Sequence, residues 1–192
     1  MRGGQFLHWA RYHVGLEPAR TQTTTTERAS LSSIASDRKS LVETGVFEGV
    51  TALALRKVMS ANRCLVCIDP FPRGLLGISY GFSIARSEVR KSANGQRRFI
   101  RDYSHNVVRG WRRPVDFIFF DGDHSEKGIR TDWETWSPFI IKGGVAAFHD
   151  SLGPNAVEGP AQLVSQLREK ADEFTLLTSV DSWSLFERKK TR

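Results

Sequence analysis

Leu41-Val-Glu-Thr-Gly-Val-Phe-Glu-Gly49 decides how this chain folds. It opens as a buried strand, carries an acid (Glu43) near the strand's end, turns at a glycine and runs into a helix near Thr51. Gly45 lets the chain turn sharply and lets a ligand approach its backbone. Phe47 occupies the middle of the turn, and Gly49 allows the loop to close onto the helix start. The N-terminus of that helix can host an anion, because its first amide groups have no partners within the helix. Dinucleotide-binding units also open with strand, glycine turn and helix, but they space their glycines as GxGxxG and carry the acid downstream. Here the acid precedes the glycines, and the GxGxxG spacing is absent.

Outward from this stretch, strand-like and helix-like segments alternate from Leu41 to Lys170, the pattern of parallel βαβ units. The expected strands are 40–44, 64–68, 97–101, 115–120 and 144–148, and the expected helices between them are 51–61, 82–92 and 125–139. Residues 70–77 read as a turn-rich loop. A further helix begins at Pro160, a residue suited to a first helical position, and runs through Leu163, Leu167 and Ala171. Residues 173–178 and 182–187 read as two strands with a link too short for a crossover, hence a hairpin. Ahead of the first strand, Thr24-Thr-Thr-Glu27 has capping-box spacing and starts a helix to Ser36. The expectation is one α/β domain over 1–192. Residues 40–192 form a Rossmann-like, doubly wound, seven-stranded core, mostly parallel with a C-terminal antiparallel β-hairpin, and residues 1–39 form a helical extension or lid.

At 192 residues, 40% hydrophobic and 26% charged, the chain suits a single soluble domain with its own core. No apolar run approaches a membrane span, and the N-terminus lacks the apolar stretch of a signal peptide, so a cytoplasmic enzyme is expected. The two cysteines, Cys64 and Cys67, have CxxC spacing, but they lie within a strand rather than at a helix start and so read as small core residues. The net charge of +7 comes with basic clusters at Arg86, Arg90, Lys91, Arg97, Arg98 and Arg101 and at Arg109, Arg112 and Arg113. No nucleic-acid-binding motif accompanies them. They read as a solvated basic face or as the contact for an anionic acceptor.

Three strand ends carry the polar residues. Asp69 ends the second strand, where a carboxylate can accept from both hydroxyls of a ribose. Asp121-Gly-Asp-His-Ser125 follows the fourth strand, and His149-Asp-Ser151 follows the fifth. Together they bring carboxylates and histidines to one crevice, a set able to bind a divalent cation or to supply a general base. Asp123 or Ser125 can also cap the following helix.

Val42-Glu-Thr-Gly-Val-Phe-Glu-Gly-Val-Thr51, Ile68-Asp-Pro-Phe71, Asp121-Gly-Asp-His-Ser125 and Lys142-Gly-Gly-Val-Ala-Ala-Phe-His-Asp150 together resemble class I S-adenosylmethionine (SAM)-dependent methyltransferases. Within that class they are most similar to methyltransferase family 24, a branch similar to catechol O-methyltransferases and to metal-dependent enzymes that methylate macrolide sugars. The resemblance implies SAM as cofactor, with Glu43, Gly45, Phe47 and Gly49 around its methionine portion. It implies Asp69 on the ribose, Ser104 on the adenine, and Asp121 near the methionine amino group, a metal or both. The metal positions of the catechol-type enzymes correspond to Asp121, His149 and Asp150, with His149 replacing an acid. Histidine suits a transition metal better than magnesium. His149 and His124 are the candidate bases for an acceptor hydroxyl. The implied acceptor is a small molecule or a sugar, in a pocket that is open or completed by a second subunit. Two alternatives remain at this level: a NAD-dependent oxidoreductase, and a non-catalytic basic module that binds RNA or another anionic partner.

Overall fold

The structure, a computed structural model, describes residues 2–74, 77–170 and 172–189. Leu75 and Leu76 of the expected loop, and Ala171 of the expected last helix, lie outside the described residues. Seven strands form one sheet: β1 (Ser40–Thr44), β2 (Cys64–Ile68), β3 (Gln96–Ile100), β4 (Val115–Phe120), β5 (Ile140–Phe148), β6 (Phe174–Val180) and β7 (Trp183–Arg188). Their order is β3-β2-β1-β4-β5-β7-β6. β1 to β5 are parallel, and β7 pairs antiparallel with both β5 and β6. This is the Rossmann-like sheet with a terminal hairpin that the sequence pattern predicts.

The helices are α1 (Arg2–His13), α2 (Thr25–Ala35), α3 (Val50–Lys57), α4 (Tyr80–Arg90), α5 (Ser104–Val107), α6 (Glu126–Trp136) and α7 (Glu158–Glu169). Leu31, Leu55 and Val89 of α2, α3 and α4 pack with Leu65, Phe117 and Trp183 on one face of the sheet. Ile129, Trp136 and Leu163 of α6 and α7 pack with Val42, Ile118 and Phe148 on the other. β1 and β4 are therefore covered on both sides, which is why Leu41–Val42 and Phe117 to Phe120 are consecutive apolar residues rather than alternating ones. Cys67 joins the first cluster and Cys64 packs against the second, so the CxxC residues face opposite ways, as core residues. Burial pushes the Cys67 thiol well above its ordinary pKa, as expected of an inert thiol.

Several boundaries differ from expectation for local reasons. β5 begins at Ile140, not at residue 144. Val115 pairs with Ile140 and Phe117 with Val145, so a bulge takes up the residues between, including Gly143 ahead of the expected start. α3 ends at Lys57, because Val58 and Met59 close it with bonds to Leu55 and Arg56 and Met59 turns into the core. α7 begins at Glu158, which makes Pro160 its third residue; an amide there has no helical partner, so proline is tolerated. The Thr24–Glu27 capping box forms in full, and Ser125 caps α6 by accepting from the Gly128 amide at 3.0 Å.

The parallel strands end level. Gly45 donates to Ile68 at 2.9 Å, Asp121 to Thr44 at 2.8 Å, His149 to Phe120 at 3.0 Å and Asp69 to Ile100 at 3.2 Å. One sheet edge therefore presents all four, at the switch point where the strand order reverses between β1 and β4. What crowds Gly45 is not a ligand but this edge: with φ at +80°, a Cβ there would lie 1.9 Å from the Asp121 carbonyl oxygen. Gly143, with φ at +75°, has nothing within 4 Å. Gly45→Ala should therefore lose about 3 kcal/mol or more, combining a left-handed alanine at about 1–2 kcal/mol with overpacking of about 1–3 kcal/mol. Gly143→Ala should lose only the first term. Urea unfolding of the two variants checks this, and equal losses would refute the contact.

Candidate active site

A cavity of about 940 Å³ opens at this edge. Its core wall includes Thr44, Gly45, Phe47, Asp69, Phe71, Ser104 and Asp121. The N-terminal extension supplies Gln5, His8, Arg20 and Gln22, so the segment expected as a lid does border the cavity. His8 is buried between two carboxylates, with Nδ1 2.7 Å from Glu17 Oε2 and Nε2 3.0 Å from Glu48 Oε2. Glu48 belongs to the 45–49 loop, so α1 is fastened to that loop.

The loop is held mainly by Asp69. Its Oδ2 accepts from the Val46 and Phe47 amides at 2.9 and 3.1 Å, and its Oδ1 from the Phe71 amide at 2.6 Å. A carboxylate has about four acceptor positions, so room remains for a ligand hydroxyl. Phe47, with φ at +51° and half exposed, projects from the strained turn that these bonds support. Gly49, with φ at +80°, caps α3; a Cβ there would lie 2.9 Å from Ala85 Cα, so the residue serves helix packing as well as the loop.

Two expected cofactor residues sit differently from expectation. Glu43 is fully buried and is not part of the cavity wall; the strand alternation presents Thr44 instead. Burial, then the charges of Asp121 and Asp69, push its carboxyl well above the ordinary range, and Oε2 has no partner among the described residues. Ser104 does line the cavity, but its hydroxyl donates to Asp132 Oδ1. Asp132, raised in pKa by burial, is a wall residue that the sequence reading missed.

Asp121, His124, His149 and Asp150 meet at one corner. His149 Nδ1 lies 2.9 Å from Asp121 Oδ1 and 3.4 Å from Asp150 Oδ1. His124 Nε2 lies 3.5 Å from Asp121 Oδ1, and its Nδ1 lies 3.7 Å from Asp150 Oδ2. Behind them Glu27 Oε2 approaches His149 Nε2 at 3.6 Å. Glu27 is the capping-box acid of α2; it also accepts from the Ser182 amide at 2.9 Å and from its hydroxyl at 2.5 Å. The capping motif is legible in the sequence, but its contact with His149 joins residues far apart in the chain.

Burial opposes a charge on His149. Asp121 at contact distance, with Asp150 and Glu27 nearby, outweighs burial and raises its pKa to about 9. The same pairing, with His124 and His149 overcoming burial, holds the Asp121 carboxyl below its usual range. A protonated His149 has no lone pair to offer, which argues against the base role expected of it. His149 is also 2% exposed, whereas His124 is 21% exposed. Of the corner, only Asp121 is part of the cavity wall.

Asp121 Oδ1, His124 Nε2 and His149 Nδ1 are buried without a well-directed hydrogen bond among the described residues, despite the short ionic distances. Asp121, His124 and His149 each turn one ligand atom into a group within 4.8 Å. The expected metal set named Asp150 where His124 stands. Asp150, at φ +50°, directs its oxygens to ring nitrogens of the two histidines instead. One carboxylate and two imidazoles fit a first-row transition dication better than magnesium or calcium.

Comparison with known proteins follows the same lines. Residues 42–151 match a family described as a methyltransferase domain. An O-methyltransferase from Bacillus cereus, solved with S-adenosylhomocysteine (SAH), superposes with a TM-score of 0.64 at 15% identity, over 98% of this chain and 90% of that one. An O-methyltransferase of tomaymycin synthesis from Streptomyces achromogenes, with SAM, gives 0.67 at 13% identity over 98% and 89%. An SAH-bound methyltransferase from Podospora anserina gives 0.68 at 14% over 97% and 88%. At such identities the likeness is one of fold. Among the described residues no helix is long and apolar enough to cross a membrane.

In chelator-treated protein, His149 should titrate at about 9. Because that lies above the unfolded value of about 6.5, its contribution to stability is complete below about pH 6.5 and is lost as pH rises through about 9. Glu27→Gln removes one of the raising charges and should move the His149 titration, followed by NMR, downward. A titration indifferent to that change would detach Glu27 from the site.

Proposed function

The chain belongs to the methyltransferase-domain family, a class I SAM-dependent methyltransferase by sequence match and fold, and from that premise we propose that it transfers the SAM methyl group to a hydroxyl oxygen of a small molecule or sugar. The observation that carries the oxygen-directed reading is the Asp121–His124–His149 corner, which abuts the wall of the cavity bounded by the 45–49 loop and Asp69. In this reading Asp69 holds the ribose with its remaining acceptor capacity. The cavity wall from Asp102 to His105, with Asp132, surrounds the adenine, and the 45–49 loop and Asp121 receive the methionine end. Glu43 acts from beneath, as a buried carboxyl supporting the edge.

The sulfonium methyl is already electrophilic, so the protein's work is alignment and proton removal. Holding the acceptor oxygen in line with the methyl carbon can contribute several kcal/mol, up to roughly 10. The bond from sulfur to methyl breaks as the bond from oxygen to methyl forms, and the hydroxyl proton leaves to a base. His124 is the better base: it is more exposed than His149, and Asp121 and Asp150 approach its two ring nitrogens and orient it. His149 serves as a fixed cation that offsets the clustered carboxylates. In place of the proton on His149 and of the base role of His124, the side chains of Asp121, His124 and His149 would hold a transition dication, which when bound lowers the pKa of a coordinated hydroxyl. α1, tied to the loop by His8 and Glu48, forms one wall of the cavity with Gln5 and His8.

SAH should bind the protein in isothermal titration, and Asp69→Ala should weaken it about tenfold or more, since about 1.4 kcal/mol is one decade. An intact, folded protein that binds no SAH would refute the reading. With a hydroxyl-bearing acceptor panel and labelled SAM, His124→Ala should lower kcat by about a hundredfold or more while leaving SAH affinity unchanged. Cobalt(II) should give visible absorption bands with the native protein and none with Asp121→Ala or His149→Ala; identical spectra would remove the metal from this corner.

A further inference from the structure

The basic residues of the central segment do not all face water in the same way. Lys91 pairs with Glu88, and Tyr12 donates to the same carboxylate at 2.8 Å. Glu88 is the one acid on α4, and it is buried on the side facing α1. The other side of α4 carries Arg86 and Arg90, one helical turn apart, with no ion-pair partner among the described residues. They border a second cavity of about 440 Å³, together with His13, Ser83, Arg101 and Ser79. No carboxylate is among the lining residues.

This groove is built rather than merely basic. The Arg101 guanidinium lies 4.8 Å over the Phe82 ring and donates to the Phe71 carbonyl at 3.3 Å, so its plane is fixed beside the groove. Ser83 Oγ accepts from Trp9 Nε1 at 3.0 Å and lies 3.0 Å from His13 Nε2, which locks α1 against α4 at the groove's edge. Like charges at i and i+4 on a helix repel. A dianion placed among them reverses that term, and guanidinium forks match phosphate oxygens bidentately. Ser79 lines both this groove and the main cavity, and Tyr80, Gly81 and Ile84 of the same helix border the main cavity.

We propose that the groove of His13, Ser83, Arg86, Arg90 and Arg101 binds the phosphate group of a phosphorylated small molecule, and that this molecule is the methyl acceptor, its other end reaching past Ser79 into the cofactor cavity. The second half rests on the methyltransferase reading; the first does not. The chemistry excludes a neutral acceptor as the best substrate and favours a phosphate monoester or diphosphate over a carboxylate, because the site offers three guanidiniums and a hydroxyl around one space.

The test uses the full chain and pyrophosphate as probe. Isothermal titration should detect pyrophosphate binding to the native protein. Arg86→Ala/Arg90→Ala, both exposed positions, should weaken it about tenfold or more while SAH affinity stays within about twofold. Pyrophosphate affinity unchanged in the double variant, or no binding to the native protein, overturns the site. A sugar phosphate should be methylated with a lower KM than its dephosphorylated counterpart, and the double variant should abolish that difference. Equal KM values overturn the link to the acceptor. A short single-stranded RNA that binds through these arginines and is not displaced by pyrophosphate assigns the groove to nucleic acid and overturns the proposal. Pyrophosphate binding without any SAH binding leaves the groove standing and sinks the methyltransferase reading, so the two failures are distinguishable.

Discussion

The contact on which the site depends is the one between Gly45 and the Asp121–Gly122 backbone. No side chain fits between them, because a single Cβ would already overlap the Asp121 carbonyl. That closeness sets the loop after β1 directly against the turn after β4. The core side of the site follows from it: the loop brings Phe47, Glu48 and the amides held by Asp69, and the turn brings Asp121 to the cavity wall and, three residues on, His124 behind it. The next strand end adds His149 through its amide bond to Phe120. The order β2-β1-β4-β5 is thus more than a fold label. It lines up four strand ends whose side chains would otherwise never share a wall.

The corner this creates has an electrostatic demand of its own. Asp121, Asp150 and Glu27 converge on His149, and in low-dielectric surroundings so many carboxylates need a compensating cation. A proton on His149 supplies one, and its raised pKa is the measure of that need. A dication held by Asp121, His124 and His149 would supply more charge and would require the same Nδ1 lone pair. Proton and metal therefore compete for one position, and metal affinity at this corner should rise with pH, as for any site built on protonatable ligands. The deep burial of Glu27, fixed by Ser182 and its own helix start, ensures that the demand persists with either cation.

Much of this was legible in the sequence, for reasons that differ by element. β1, β2 and β4 were readable to the residue, because each has an apolar centre and ends at an acid or a glycine turn. β5 was not, since its first four residues lie ahead of the strand expected from Gly144 and only the partner strand reveals the bulge that follows Ile140. Asp69 and Asp121 were identifiable from their positions after strands. The choice between Asp150 and His124 at the corner was not, because it depends on how two adjacent turns aim their side chains. Glu27 and His8 were beyond reach for a plainer reason. Glu27 meets Ser182 at a separation of 155 residues, and His8 meets Glu48 at 40. No local pattern encodes such pairings.

Those long-range contacts bear on what the N-terminal extension is. Its attachments to the core include His8 to Glu48 on the cofactor loop, Thr23 to Thr51 at the start of α3, and Glu27 to Ser182 at the hairpin turn. Two of them hold the place where the glycine loop enters α3, and the third lies behind His149. A segment fixed at these places cannot shift without disturbing either the loop or the corner, so cavity access, loop geometry and the charge on His149 form one coupled unit. α1 also supplies His13 to the basic groove, and its Trp9 donates to Ser83 at the groove's edge. The same short helix therefore borders both cavities, and a ligand that seats in one presses on the element that shapes the other.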